Sequence, residues 1–403
     1  MFKKWKKNTL YISLMQLTLL LVNFILITLI SREYGAEIYG EYASSKSLAV
    51  LVGTATVLSL ALVVTQLLAR NDLDSPSLQS NAYLIIVRNS SLVIFLLVPL
   101  SMLFYRDTIM TILFFLAFVT NEMIHIALGF FQSQGDFVTS SKQILLRTVL
   151  YGVGAYVIIA NKLSIYNVII FQILLLLIFF AVAIKSIPKL EIELFGKKSK
   201  QVFKKLEGSG RKMVLTTFSS ALISELDILL LGLFYSGPLL GVLAWSRRIL
   251  EIIFQIIAAS LDILFPELSK NNKKDNVINI RKQLRKFLLF TFSVPILFLI
   301  FRDVADKIFI NILGSEFTNL SSYTAQLLFC LPLMIWSRIN IIFSRSLNFE
   351  ANLTKMIAVG TFLSIMSYYI IHYINFNPAI ISIFISQFIF ASISNYSFKK
   401  SYV

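Results

Sequence analysis

The stretch Ile165-Tyr-Asn-Val-Ile-Ile-Phe-Gln-Ile-Leu-Leu-Leu-Leu-Ile-Phe-Phe-Ala-Val-Ala-Ile184 contains no charged residue, no glycine and no proline. At 1.5 Å per residue a helix of that length reaches about 30 Å, the thickness of the hydrocarbon core of a bilayer. Outward from it, comparable apolar runs recur at 9–31, 42–69, 81–103, 108–131, 143–160, 213–235, 240–266, 284–301, 317–343, 355–374 and 378–397. These are continuous runs, whereas the strands of a membrane barrel alternate over about ten residues. The expected fold is an all-α polytopic membrane protein with twelve transmembrane helices.

Composition agrees with that reading. The 403 residues are 57% hydrophobic and 14% charged, against about 45–50% and about 25% in soluble domains, and the mean hydropathy is +0.78. The formal net charge is +16. On a polar chain that would point to nucleic acid; on one this apolar it points to a membrane, and no nucleic-acid partner is expected. The single cysteine, Cys330, excludes a disulfide scaffold. Met1-Phe-Lys-Lys-Trp-Lys-Lys7 looks like the start of a signal peptide. The apolar run behind it is too long and lacks a small-x-small cleavage site, so it is read as an uncleaved first span.

The positive-inside rule sets the expected orientation. With the N-terminus inside, only Arg32, Arg106, Lys162, Arg302 and Lys307 fall in external loops. Both termini are therefore expected in the cytoplasm, and most of the positive charge reports topology.

The longest polar stretch, 185–212, is Lys-rich and contains Gly208-Ser-Gly210. It divides the chain into an N-terminal six-helix lobe (1–184), a basic cytoplasmic linker (185–212) and a C-terminal six-helix lobe (213–403). Two lobes of six crossings enter the membrane from the same side, as parallel repeats do. Gly40-Glu-Tyr-Ala43-Ser-Ser45-Lys46 opens the second run, and Gly241-Val-Leu-Ala244-Trp-Ser246-Arg247 opens the eighth. Gly, Ala, Ser and a cation recur in register.

Charged groups inside the runs are the functional candidates, because each costs at least about 2.5–3.5 kcal/mol at the bilayer centre. Arg147 and Arg338 lie close enough to an inner helix end to snorkel, and Arg88 about two turns in. Lys46, Arg247 and Arg248 lie about 6–12 Å inside the outer interface, where snorkelling is disfavoured and a cavity-lining role is expected. Among the acids, Glu225 and Asp227 sit mid-span, as do Glu122 and His125, which are one turn apart on one helix face. Glu251 stands four residues after Arg247, the spacing of an ion pair, and Asp262 lies further along the same run. These acids either compensate buried cations or carry a coupling H⁺ or Na⁺.

No metal-ligand cluster, phosphate loop or nucleophile elbow is present in the sequence. The longest external loop, 302–316, is short for a membrane transferase or polymerase. No enzyme, metal or cofactor is expected; a transporter is.

Family resemblance sharpens this. Arg32-Glu-Tyr-Gly35-Ala-Glu37-Ile-Tyr39-Gly40 resembles the R-x-Y-G-x-E-x-[YF]-G stretch of bacterial polysaccharide flippases. These are the Wzx-type O-antigen transporters of the multidrug/oligosaccharidyl-lipid/polysaccharide superfamily. Leu226-Asp227-Ile-Leu-Leu-Leu-Gly232, Gly241-x-x-Ala244-x-x-Arg247, Leu264-Phe-Pro266-Glu-Leu-Ser269 and Leu313-Gly-Ser-Glu316-Phe317 look like further stretches of that family, in the same order. The resemblance implies the two-lobed flippase fold in the bacterial cytoplasmic membrane. It implies as cargo an undecaprenyl-pyrophosphate-linked oligosaccharide moved by alternating access, with membrane lipids around the chain and polysaccharide polymerase and chain-length machinery as further partners.

In the related lipid II flippases an arginine precedes the FP-type proline by the separation found between Arg247 and Pro266. The resemblance therefore implies a pyrophosphate contact at Arg247 and, through the repeat, at Lys46. Arg248, Arg88 and Arg338 rest on the charge argument alone. Two rivals stay open: a drug or cation antiporter of the same superfamily, and a polysaccharide polymerase.

Overall fold

In the computed structural model of the chain, the described residues are 2–69, 75–103, 106–187, 199–262, 284, 288–346, 350–374 and 378–402. They are mostly helical, with no strand among them. Contacts divide the chain into two compact units. One comprises Met1–Gly35 with Glu41–Ala221, the other Ala36–Gly40 with Leu222–Val403.

The first unit contains most of α1 (Phe2–Thr56), then α2 (Leu60–Ala69), α3 (Ser75–Leu103), α4 (Thr108–Ser133), α5 (Phe137–Ala160), α6 (Ile165–Lys185) and the start of α7 (Lys200–Phe234). Its centre is α4, packed against α2, α3, α5 and α6. Ala117, Ile124 and Leu128 recur at helical spacing on α4 and meet Ile144 of α5 and Leu175, Leu176 and Phe179 of α6. Side-chain caps fix the helix starts. The Asp107 carboxylate accepts from the Met110 amide at 2.8 Å, and the Asp136 carboxylate from the Thr139 amide at 3.2 Å, each worth about 1 kcal/mol. The two glycines of Gly152-Val-Gly154 allow close packing on two sides of α5. A Cβ on Gly152 would lie 2.8 Å from Val22, and one on Gly154 2.2 Å from Phe171.

The second run is not one helix. It is interrupted at Val57–Ser59, where Leu58 and Ser59 adopt φ of 52° and 54°, a left-handed conformation costing roughly 1–2 kcal/mol per non-glycine residue. Gly210 of α7 accommodates the break, since a Cβ there would lie 2.9 Å from the Leu58 carbonyl oxygen. Gly208-Ser-Gly210, read in the sequence as linker, thus lies inside α7, and Gly210 serves packing.

The second unit contains the rest of α7, α8 (Gly237–Asp262), α9 (Ser293–Ile300), α10 (Arg302–Leu313), a 3-10 turn (Ser315–Phe317), α11 (Leu320–Leu328), α12 (Leu331–Ser346), α13 (Glu350–Ile374) and α14 (Pro378–Tyr402). Leu331, Ile335, Ile339 and Ile342 form the inner stripe of α12 and pack with Leu226, Leu230, Leu243, Leu250 and Ile383. Pro76, Pro238, Pro295, Pro332 and Pro378 each stand in the first turn of a helix, where a missing amide breaks no helical bond. The expected external loop 302–316 is instead mostly α10, turned 71° from the segment before it. Val304, Ile308 and Ile312 are exposed along one of its faces.

By length and composition six helices among the described residues can cross a membrane, or eight if each bent pair counts as one span. Met15–Thr56 is one apolar helix covering two runs around a kink at Gly35 (φ 85°), and α7 and α8 carry the charges described below. Phe95 is 79% exposed and Phe290 70%, which suits side chains facing lipid rather than water.

Candidate functional site

A cavity of about 360 Å³ opens inside the first unit. Helical spacing brings its lining together: Met15, Leu19 and Asn23 on α1, Phe114, Phe118, Asn121 and His125 on α4, and Ile144, Arg147, Thr148 and Tyr151 on α5. Each set recurs every three or four residues and so shares a face. Lys46 enters from the second segment of α1 and Gln172 from α6. The lining thus combines Lys46, Arg147 and His125 with three side-chain amides, and no carboxylate is among the described lining residues. Arg147 Nη1 is buried without a hydrogen-bond partner among the described residues. Sequence reasoning missed Arg147, which it treated as a snorkelling side chain. The signal was Asn23, Asn121 and Gln172, polar amides inside apolar runs that lipid would not tolerate.

A second cavity of about 270 Å³ lies in the same unit, lined by Glu122 and His125 of α4 and by residues around the Val57–Ser59 break. His125 therefore faces both cavities.

Arg88 is placed differently. Its guanidinium lies 3.2 Å from Glu207 and 5.1 Å from the centre of the Phe203 ring, and its side chain is 46% exposed. Glu207 also pairs with Arg211 at 3.0 Å. Desolvation pushes the Glu207 carboxyl up, but Arg88 and Arg211 together outweigh it and hold the group below the ordinary carboxylate value.

In the second unit Arg247 Nε lies 3.3 Å from Asp227 Oδ2, with both side chains almost fully buried. Tyr368 donates its hydroxyl to Asp227 Oδ1 at 3.3 Å, and Gln387 Nε2 donates to Oδ2 at 3.1 Å. The mid-membrane carboxylate is thus held by one cation and two neutral donors. The four-residue spacing predicts a pair between Glu251 and Arg247. The ion pair that forms is Arg248 Nη1 to Glu251 Oε2 at 2.7 Å, one residue on, because Arg247 points inward to Asp227. Glu225 on α7 and Arg338 on α12 are half-buried. The Asp262 side chain and the 264–269 stretch lie outside the described residues.

Three stretches quoted from the sequence meet within this unit. The Ala36 amide donates to Glu316 Oε2 at 2.7 Å. A Cβ on Gly241 would lie 1.9 Å from the Ala36 carbonyl oxygen. The Tyr39 ring lies 6.0 Å from that of Trp245. The kink at Gly35 delivers residues 36–40 to this junction, and Gly241 permits the backbone approach.

Comparison with known proteins places these features in a family. The model for the family described as polysaccharide biosynthesis protein matches residues 89–322. No curated protein matches the sequence significantly. Among solved structures, the chain is similar to an inward-facing multidrug resistance MATE family transporter of the MOP superfamily, with TM-score 0.72 and 12% identity over 94% of each chain. It is also similar to the lipid II flippase MurJ in an inward closed conformation, with TM-score 0.69 and 15% identity over 97% of this chain and 87% of that one. A Vibrio cholerae MATE transporter aligns with TM-score 0.62 and 12% identity over 99% and 96%. At such identities these likenesses establish the fold.

Proposed function

Since the chain belongs to the polysaccharide biosynthesis protein family and is a multi-pass membrane protein with the fold of the MOP transporters, we propose that it is a flippase. Its cargo is an undecaprenyl-pyrophosphate-linked oligosaccharide repeat unit, carried from the inner to the outer leaflet of the bacterial cytoplasmic membrane by alternating access. Polysaccharide polymerase and chain-length machinery would receive the translocated unit.

The observation that carries this reading is the first-unit cavity. Sugars and phosphate cannot cross hydrocarbon unaided, because each hydrogen bond lost to water costs kcal/mol. The cavity offers Lys46, Arg147 and His125 together with Asn23, Asn121 and Gln172, a set that suits an anionic linkage flanked by hydroxyls. Arginine adds two-pronged contact with phosphate oxygens. At about 360 Å³ the volume is near the lower end of small-ligand pockets, about 300–1,000 Å³. It fits the anionic linkage rather than a whole repeat unit. An antiporter of drugs or cations would instead need carboxylates on that wall. Arg247 remains a candidate for phosphate contact through Nη1, which has no hydrogen-bond partner among the described residues. Its Nε is already held by Asp227.

The test is reconstitution into proteoliposomes with defined lipid-diphosphate oligosaccharides placed in one leaflet. Translocation of the anionic lipid, with no movement of a lipophilic cationic dye, supports the flippase; the opposite pair of results assigns the antiporter.

A further inference from the structure

We propose that the angle between α9 and α10 is a lipid site, holding one acyl chain of a resident phospholipid with Arg302 and Lys307 beside its phosphodiester. The ligand is separate from the cargo, and the site lies in the second unit.

The sequence of α10 makes it amphipathic, and at 3.6 residues per turn it presents three faces. Asp306, Ile310 and Leu313 share the face turned to the protein. Leu313 is buried, and the Asp306 carboxylate accepts from the Ser321 amide of α11 at 3.3 Å. Val304, Ile308 and Ile312 form a second face, and all three are exposed. Asp303, Lys307 and Asn311 form a third, also exposed. The first face fixes the helix on α11, and of the two that remain one is apolar and one polar. In a membrane protein such a helix lies in the interface, apolar face toward the acyl chains. The bend agrees: α10 turns 71° from Leu288–Ile300, which lays it near the plane of the membrane that the preceding run enters.

The same bend leaves a groove. About 420 Å³ opens between the two helices, on Leu297 and Phe298 of α9, Phe301 at the corner, and Val304, Ala305 and Ile308 of α10. Every described lining side chain is apolar. Water finds no partner on such walls, and an empty groove would leave them without dispersion contacts. Leu297, Phe301, Val304 and Ile308 are themselves exposed, so the groove opens on surface of the kind that faces lipid.

Size and charge select the occupant. About 420 Å³ suits one alkyl chain and falls far short of a long branched prenyl tail. Three exposed apolar side chains on α10 are a small patch beside the roughly 800 Å² per partner that a stable protein interface buries, which disfavours a second copy of the chain. Arg302 and Lys307, both exposed, flank the apolar face at the level where a lipid phosphate sits. Arg302 lies 3.5 Å from Asp303, an exposed pair whose cation a phosphate oxygen can share.

The experiment uses the full-length chain purified in mild detergent, without cargo. Palmitoyl-oleoyl phosphatidylethanolamine is added, native mass spectrometry counts the lipids that stay on each chain, and the unfolding temperature is read in parallel. The expected result is a single phospholipid that survives activation stripping the others, and a rise in unfolding temperature with lipid. Ala305→Trp, which fills the groove, should lose both. Val304→Ser with Ile308→Ser, which makes the wall polar without adding bulk, should weaken both, while Asn311→Ser on the polar face retains lipid as the wild type does. No lipid retained by the wild type, or wild-type retention by whichever groove variant folds, overturns the proposal. So does a polyprenyl phosphate that displaces the phospholipid, which would assign the groove to the cargo tail. A lipid-free dimer that Ala305→Trp converts to monomer overturns it equally. Because no cargo is present, failure of the flippase reading leaves this outcome unaffected.

Discussion

The Arg247 guanidinium and the Asp227 carboxylate form a buried ion pair, Nε to Oδ2 at 3.3 Å with side chains 1% and 2% exposed. Charges so far from water persist when each neutralises the other, and here Tyr368 and Gln387 donate to the remaining lone pairs of the carboxylate. Removing one partner should therefore destabilise the second unit by about 3–5 kcal/mol. Arg247→Met and Asp227→Leu should each lower the unfolding temperature sharply, and the double variant should recover a large part of the loss. Thermal unfolding in detergent measures this; independent, additive losses would show that the two side chains do not act as a pair.

The junction of residues 36–40 with α8 makes Gly241 irreplaceable by alanine. The added Cβ would collide with the Ala36 carbonyl oxygen, a backbone atom that a rotamer change cannot move. Overpacking of this kind costs about 1–3 kcal/mol, so Gly241→Ala should reduce the yield of monodisperse protein. Glu316→Ala, which leaves the Ala36 amide without its acceptor, should act in the same direction by about 1–3 kcal/mol. Size-exclusion profiles and unfolding temperatures read both; wild-type values for Gly241→Ala would refute the close approach.

Glu207 ties Arg88 of α3 to Arg211 of α7, and its carboxyl is held below the ordinary value. A depressed folded-state value means a contribution present above the unfolded carboxylate range and lost as pH falls through the folded value. Each exposed pair is worth less than about 1 kcal/mol. Glu207→Gln should thus lower the unfolding temperature slightly at neutral pH, and the gap from wild type should close in acid. A gap that widens in acid would reverse the assignment.

Much of this architecture is legible in residue order, and the exceptions have physical causes. Ile165–Lys185 becomes α6 with the bounds its apolar run suggests, because nothing in it competes with the helix. The break at Leu58–Ser59 carries no local signal, neither glycine nor proline. The residue that accommodates it, Gly210, is far away in sequence, where a missing side chain admits the Leu58 carbonyl. Residues 302–313 are polar enough to pass for a loop, but the spacing of Val304, Ile308 and Ile312 makes them an amphipathic helix. Spacing alone pairs Glu251 with Arg247. Spacing could not show that Asp227, on the preceding helix, already holds that arginine. Lys46 and His125 were legible as intramembrane charges, whereas their meeting with Arg147 depends on how α4 and α5 pack.

The central claim is that the first-unit cavity receives an anionic lipid-linked sugar, and translocation by Lys46 and Arg147 variants in proteoliposomes tests it most directly. A charge-assisted hydrogen bond to phosphate is worth about 1.5–3 kcal/mol, and 1.36 kcal/mol is tenfold in rate. Lys46→Ala and Arg147→Ala should each slow transfer of a lipid-diphosphate oligosaccharide by roughly tenfold or more at unchanged unfolding temperature. Lys46→Arg and Arg147→Lys should restore part of the rate. Wild-type rates in both alanine variants would contradict the account.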